Sequence, residues 1–153
     1  VYFRGTRATQ LPRTIQDINL EGKWTQTTAG EEFLRVDDGD QSRISAFPTS
    51  DNLIDLCNAD TLFCDGTFYT CPTQFQQIYT IHAMIGDQMY PLVYSLLPSK
   101  NQATYQRFFT LLRTKMMELQ LNPTTVFLDF ETAAQNAIRA VFPAVNLKFC
   151  FFH

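Results

Sequence analysis

The feature that most constrains this chain is an apolar segment, residues 62–69, with a single acid, Asp65, in its middle. Phe63, Phe68 and Tyr69 favour an extended strand, and a run that is apolar on both faces is typical of a strand buried inside a sheet. A carboxylate in such a strand is costly unless its charge is compensated, and a metal ion is the usual partner. The segment therefore predicts a central strand with a metal-binding acid.

A second apolar run, residues 124–129, ends in another acid, Asp129. We predict that this run is also a short buried strand, and that Asp65 and Asp129 form half of a divalent-metal site. Two alternatives are structural: Asp65 as a strand-end residue in a turn with Gly66, and Asp129 as the N-cap of the next helix, which is compatible with metal binding. The helix dipole alone explains Glu131 in a first turn, so we favour the two aspartates as ligands.

The composition indicates a globular domain and excludes some classes of protein. A chain of 153 residues with 14 Phe can bury a sizeable core. The net charge of −3 gives no overall electrostatic footprint for nucleic acid, so any DNA contact is expected to be local. No apolar run approaches the roughly 20 residues of a membrane span, and we expect no membrane association. The N-terminus lacks a signal peptide and an initiator Met, so we expect a piece of a longer protein.

The four cysteines are Cys57, Cys64, Cys71 and Cys150. Their spacing matches neither a CxxC motif nor a secreted disulfide framework, which favours reduced thiols in the nucleus or cytosol. Cys150 and His153 are spaced as Cys-x-x-His and are candidate zinc ligands. Against this, residues three apart on a strand point to opposite faces, and Cys150 would equally suit packing as a small hydrophobe.

The chain before the Asp65 strand divides into two parts. Residues 1–30 are weakly patterned and are predicted to be a connector or arm, with a short helix after Leu11 and with Trp24 as an anchor onto the body. Residues 31–60 are predicted to form a hairpin, whose turn contains an Asp-Gly pair in residues 37–40, and a short helix that begins at Thr49. They lead into the core, which we place at residues 61–153.

The core is predicted to follow the order β-β-β-α-β-α-β. Strands at 76–85 and 89–97 complete an antiparallel meander, with Pro91 suggesting an edge position. A helix from Thr104 to about Leu121, the Asp129 strand, a helix at about 131–141 and a strand at 146–153 follow. This α/β order is that of a ribonuclease H-like mixed sheet with flanking helices, here truncated at the C-terminus. Right-handed crossovers make the Asp65 and Asp129 strands parallel neighbours.

Short motifs follow one another in a fixed order from residue 65 to the end of the chain. They comprise Asp65, Gly66, Thr67, Phe68, Pro72, Phe75, residues 77–82, residues 91–94, Lys100, Tyr105, residues 129–131, Ala134, Asn136, Ala137, Phe142, Pro143 and residues 150–153. In this order and spacing they resemble the transposase domain of Mutator-like transposable elements, over roughly residues 40–153. That family is similar in fold to ribonuclease H and retroviral integrases.

The resemblance implies DNA strand cleavage and strand transfer at an Asp-Asp-Glu site that binds two Mg²⁺ or Mn²⁺ ions. Asp65 matches the first catalytic acid and Asp129 the second. The third, a Glu, lies in the family beyond the Cys-x-x-His stretch, so this fragment is expected to be inactive. The implied partners are DNA at transposon ends and targets, and further copies of the chain, in the nucleus. The alternatives are a domesticated, non-catalytic DNA- or protein-binding module and a plain ribonuclease H-like nuclease.

Overall fold

The structure, a computed structural model, describes residues 12–39, 41–115 and 120–150. Within these residues, seven strands form one mixed sheet in the order β1-β2-β5-β4-β3-β6-β7. The strands are β1 (Val36–Asp37), β2 (Ser45–Phe47), β3 (Thr61–Thr67), β4 (Gln77–Ile85), β5 (Gln88–Leu97), β6 (Thr125–Leu128) and β7 (Asn146–Phe149). The α-helices are α1 (Ser50–Asn58), α2 (Gln102–Lys115) and α3 (Thr132–Val141).

Strands β3, β4 and β5 form the predicted antiparallel meander. The turn between β4 and β5 contains Gly86, whose φ is +61°, a left-handed conformation that glycine adopts without steric cost. β6 then pairs with β3 in parallel, and β7 with β6 in parallel. The predicted order β-β-β-α-β-α-β is confirmed from β3 onward, and it is compatible with a ribonuclease H-like fold.

An aromatic cluster fixes α2 on the sheet. The ring of Tyr79 on β4 lies 5.2 Å from that of Tyr105, 5.9 Å from that of Phe108 and 6.1 Å from that of Phe109, measured between centroids. All four rings are buried. Aromatic pairs of this kind each contribute about 0.5–1.5 kcal/mol beyond the area that they bury. The apolar stripe predicted for α2 is therefore the core face of the helix.

The N-terminal hairpin is part of the same sheet. β1 and β2 pair antiparallel, as predicted, and β2 pairs with β5. A salt bridge of 3.0 Å between Arg107 Nε and Asp38 Oδ2 joins the hairpin to α2. α1 begins after Thr49, whose side chain accepts a hydrogen bond from Asn52 N–H in a capping box, as the sequence predicted. The division of the chain at residues 30 and 60 stays a prediction.

Two predictions for the N-terminal arm are wrong. The described residues 12–20 contain bends and a turn instead of a helix, and Leu11 lies outside the described residues. Trp24 belongs to a short 3-10 helix (Gly22–Trp24) and is 62% exposed, so it does not anchor the arm. Polar contacts attach this segment instead, because Arg43 Nη1 donates to the carbonyl oxygen of Ile18 at 2.5 Å.

The predicted edge position of Pro91 is also wrong, because β5 lies between β2 and β4. Pro91 is tolerated there for two reasons. The β4–β5 register shifts between Ile81 and His82, opposite Pro91, and the pairing with β2 extends along β5 only as far as Tyr94. A proline at a bulge beyond the end of a neighbouring strand removes no ladder hydrogen bond.

The ends of two other elements differ from the prediction. α2 begins at Gln102 instead of Thr104, because Asn101 Oδ1 accepts a hydrogen bond from Thr104 N–H at 2.8 Å and caps the helix. Leu121, predicted as the last helical residue, is not helical, and residues 116–119 lie outside the described residues. β7 ends at Phe149, and the rest of the strand predicted to reach residue 153 includes residues 151–153, which are also outside them.

Candidate active site

The two predicted acids lie at corresponding positions on neighbouring parallel strands. The β3–β6 register pairs Thr61 with Thr125 and Phe63 with Phe127, so Asp65 and Asp129 each follow a paired phenylalanine by two positions. Because side chains alternate between faces along a strand, Asp65 points to the face of Phe63 and Phe127, and Asp129 is the first residue after β6, next to that strand's end. The rings of these phenylalanines stack with centroids 5.0 Å apart, which confirms that they share a face.

Asp65 is an interior residue of its strand. β3 continues to Thr67, and Gly66 is paired with Tyr79 of β4, so the alternative of a strand-end turn at Asp65 and Gly66 is wrong. On the β4 side Asp65 faces Thr80, whose hydroxyl donates to the Asp65 carbonyl oxygen at 3.3 Å. Pairing with β4 holds the backbone of Asp65 in place, whereas the pairing of β3 with β6 ends two residues earlier, at Phe63.

Asp129 lies between the end of β6 and the start of α3. Its Oδ1 accepts a hydrogen bond of 3.1 Å from the backbone N–H of Glu131. The N-cap position of α3 belongs to Glu131 instead of Asp129, so the alternative of Asp129 as the N-cap is wrong in position. The hydrogen bond nevertheless orients the Asp129 carboxylate.

The side chain of Glu131 takes part in a hydrogen-bond network that the sequence did not reveal. Glu131 Oε2 accepts a hydrogen bond of 2.7 Å from the Tyr105 hydroxyl, which in turn accepts one of 2.8 Å from Gln77 Nε2. The apolar stripe of α2 indicated that the Tyr105 ring is buried, but no pattern in the sequence indicated a partner for its hydroxyl. This contact accounts for Glu131 without a role in metal binding.

Both acids influence the same buried thiol. The pKa of Cys64 is raised to about 12, mainly by burial and to a smaller extent by the negative charges of Asp129 and Asp65, against a hydrogen bond with Tyr79 that lowers it. The influence of both charges on one thiol agrees with the proximity that the register implies. Cys64 is thus a neutral thiol at ordinary pH, unsuited to act as a thiolate ligand or nucleophile.

A cavity of about 540 Å³ opens beside Asp65, on the face of the stacked phenylalanines. Its lining includes Phe63, Phe127, His82 and Cys150, so the carboxylate lies in a mostly apolar recess. Two lysines lie nearby: Lys148 Nζ is 5.4 Å from the centroid of the Phe127 ring, and Lys100 Nζ is 3.2 Å from that of Phe68. Lys148 thus lies beside one of the two stacked rings, and Lys100 lies over the ring that follows the end of β3.

Two aspartates fit a hard divalent cation as a half-site, because Mg²⁺ and Mn²⁺ prefer oxygen ligands. Among the residues that the structure describes, no group of three or more His, Cys, Asp or Glu side chains is arranged to hold a metal ion. The zinc prediction stays untested, because His153 lies outside the described residues. Cys150 is exposed, and its N–H donates to the Leu128 carbonyl oxygen at 3.0 Å.

The mixed sheet, with one acid inside β3 and another directly after the adjacent parallel strand β6, is compatible with a ribonuclease H-like α/β domain. The family model described as MULE transposase domain matches residues 61–153, more than half of the chain, and the chain belongs to this family. The matched region begins at the first residue of β3 and includes both aspartates. No match is found among the curated proteins.

Membership of this family gives the chain a transposase-related function. Transposase domains in general interact with DNA and use divalent metal ions. In the described part of the chain, no helix has the length and apolar character needed to cross a membrane.

Proposed function

We propose that this domain takes part in metal-dependent cleavage of DNA strands and their transfer to a target, with Asp65 and Asp129 as metal-binding carboxylates. The observation that carries the proposal is the parallel register of β3 and β6, in which each acid follows by two positions a phenylalanine of the Phe63–Phe127 pair. Family membership supplies the DNA and the reaction class.

The residues around the two acids suit a phosphodiester substrate. Bound divalent cations would neutralise charge on the attacking and leaving oxygens of an in-line displacement. The protein contributes the fixed geometry: Asp65 is held within a paired strand, and Asp129 is oriented by the Glu131 N–H. Lys100, over the Phe68 ring, and Lys148, beside the Phe127 ring, are the cations that we assign to backbone phosphates.

We propose further that cleavage requires a third acid from outside the described residues. Glu131 is the nearest alternative in the sequence, but its carboxylate accepts a hydrogen bond from Tyr105. The resemblance to Mutator-like transposases implies a Glu beyond residue 153 for this role. A protein of these 153 residues alone is therefore expected to bind metal without cutting DNA. We also propose transposon-end and target DNA as partners, for which family membership is the support. Assembly into homo-oligomers and a nuclear location are proposed from the resemblance to Mutator-like transposases alone.

The test is a Mn²⁺ titration by isothermal calorimetry on the wild type, Asp65→Asn and Asp129→Asn. The control is Asp87→Asn, an exposed acid in the β4–β5 turn at the opposite end of β4 from the site. We expect each site variant to lose about 10-fold or more in affinity, by the magnitude that perturbing a metal site typically causes, and the control to match the wild type. Equal affinity in all four proteins would overturn the proposed metal site.

A further inference from the structure

A chain of hydrogen bonds runs through the core behind the two acids. Gln77 Nε2 donates to the Tyr105 oxygen at 2.8 Å, and the Tyr105 hydroxyl donates to Glu131 Oε2 at 2.7 Å. The direction is fixed because an amide nitrogen only donates and an ionised carboxylate only accepts. Gln77 and Tyr105 are both 0% exposed, so the bond between them is shielded from solvent, whereas the bond to Glu131 is partly buried. Such a buried network rigidifies the groups that it joins.

Glu131 connects this network to Asp129. Its backbone N–H donates to Asp129 Oδ1 at 3.1 Å, and its carbonyl oxygen accepts from Gln135 N–H at 3.1 Å in the first turn of α3. Its side chain is held by Tyr105. Glu131 is thus fixed at three points, and the N–H that orients the Asp129 carboxylate is fixed with it.

Gln77 also packs against the residue that follows Asp65. A Cβ atom placed on Gly66 would lie only 2.7 Å from Gln77 Oε1, a distance that would force the amide to move. The absence of a side chain at Gly66 therefore lets β3 and the Gln77 amide approach each other closely. The Gln77 amide therefore lies beside Gly66, next to Asp65 in sequence. Through Tyr105 the same amide is linked to Glu131, whose N–H binds Asp129.

We propose that Tyr105, held by Gln77, is a positioning residue that sets the orientation of the Asp129 carboxylate relative to Asp65. The inference rests on the proposed function, because it takes Asp129 as a metal ligand. A packing role alone would not need the hydroxyl, since the contact of the Tyr105 ring with Tyr79 is retained by phenylalanine. Loss of an outer-shell partner typically costs 10- to 100-fold in metal affinity.

The test compares Tyr105→Phe with Thr104→Val. Thr104 is the preceding residue on α2, and its buried hydroxyl hydrogen-bonds Ser99 Oγ at 2.8 Å, so each variant loses one buried hydroxyl with little change of shape. We expect Tyr105→Phe to shift the Glu131 amide resonance in metal-free protein and to weaken Mn²⁺ binding about 10-fold. Thr104→Val should do neither. An unmoved Glu131 amide in Tyr105→Phe, or equal losses of affinity in both variants, would overturn the proposal.

A third variant, Glu131→Gln, separates positioning from direct ligation. The glutamine carbonyl oxygen still accepts from Tyr105, so its loss of Mn²⁺ affinity should be smaller than that of Tyr105→Phe. A loss as large as that of Asp129→Asn would make Glu131 a ligand and overturn the positioning role. If the wild type itself bound no Mn²⁺, the proposed function would fail, and the metal-free amide shift would still decide whether Tyr105 positions this loop.

Discussion

Phe63 of β3 stacks on Phe127 of β6, with ring centroids 5.0 Å apart and ring planes 13° from parallel. The two residues are also paired in the parallel register of these strands. Each of the two phenylalanines precedes a candidate acid by two positions, so the stacked rings lie next to the candidate site on the N-terminal side of both acids. They stabilise the strand pair on the face where Asp65 and Asp129 are expected to meet.

Replacing Phe127 by alanine should therefore destabilise the domain. Truncating a fully buried Phe costs about 3–5 kcal/mol, and for the half-buried Phe127 we expect about 2 kcal/mol. Urea unfolding followed by far-UV circular dichroism measures the change. Phe130→Ala is the control. Phe130 follows Asp129 in sequence, its side chain is 56% exposed, and its ring stacks on Phe149 instead of on a ring of β3. A smaller loss for Phe127→Ala than for Phe130→Ala would contradict the role of the stack.

Gly66→Ala should disturb the Gln77 amide. The added Cβ would lie 2.7 Å from Gln77 Oε1, and moving that amide strains its bond to Tyr105. Overpacking of this kind costs about 1–3 kcal/mol in the free energy of unfolding. The double variant Gly66→Ala with Gln77→Ala removes the clash, so the two changes should not be additive. Strict additivity in thermal unfolding would show that the clash is relieved elsewhere.

Stability should fall at high pH because of Cys64. Burial raises the pKa of this thiol from 9.0 to about 12 in the folded protein. The stability that comes from keeping the Cys64 thiol neutral is therefore fully present below pH 9. The free energy of unfolding then falls as the pH rises towards 12, by up to about 1.4 kcal/mol per pH unit. Urea unfolding of the wild type and of Cys64→Ala from pH 8 to pH 11 isolates the effect of Cys64 ionisation on the free energy of unfolding. Parallel curves for the two proteins would contradict it.

The same burial should protect Cys64 from alkylation. Cys150 is exposed, whereas Cys64 is buried. Iodoacetamide at pH 8 should modify Cys150 in the folded protein while leaving Cys64 intact, because the thiolate is the reactive form. Peptide mass spectrometry after brief labelling gives the extent at each cysteine. In 8 M urea all four cysteines should react, which serves as the positive control, and rapid labelling of Cys64 in the folded protein would show that the site opens.

The capping box of α1 gives a prediction remote from the site. Thr49 Oγ1 accepts from Asn52 N–H at 3.1 Å, and Asn52 Oδ1 accepts from Thr49 N–H at 3.0 Å. Thr49→Ala should cost about 1 kcal/mol, and Thr49→Ser should cost little because serine retains the cap. Thermal unfolding of the two variants measures the difference. If serine were as destabilising as alanine, packing of the threonine methyl group would be the larger effect.

The element order and the pairing of β3 with β6 could be predicted because they depend on strong, local signals. Apolar runs with β-branched and aromatic residues mark the strands, and the crossover rule places the Asp129 strand beside the Asp65 strand. The adjacency of the two strands that carry Asp65 and precede Asp129 followed from these signals. The roles of Asp65 and Asp129 as metal ligands stay a prediction.

The sequence did not predict the features that depend on contacts between distant residues. The Tyr105 hydroxyl meets Glu131 and Gln77 only after α2 packs on the sheet, and a buried stripe does not specify a hydroxyl's partner. Pro91 indicated an edge strand, and at that residue β5 is indeed paired only with β4, but a proline could not reveal that β2 pairs with the other end of β5. Trp24 suggested an anchor because large rings are usually buried, but nothing local fixes where the arm lies.

The parallel pairing of β3 with β6 also governs when the site can exist. About 64 residues (129 minus 65) separate the two aspartates, and the intervening chain forms three strands (β4, β5 and β6) and the helix α2. Neither acid has its partner in any short segment, so no peptide fragment can retain the pair. Closing so long a loop has a large entropic cost, which slows the formation of contacts between its ends. The carboxylate pair is therefore expected to assemble late in folding. Occupancy by Mn²⁺ would therefore report on completion of the native topology.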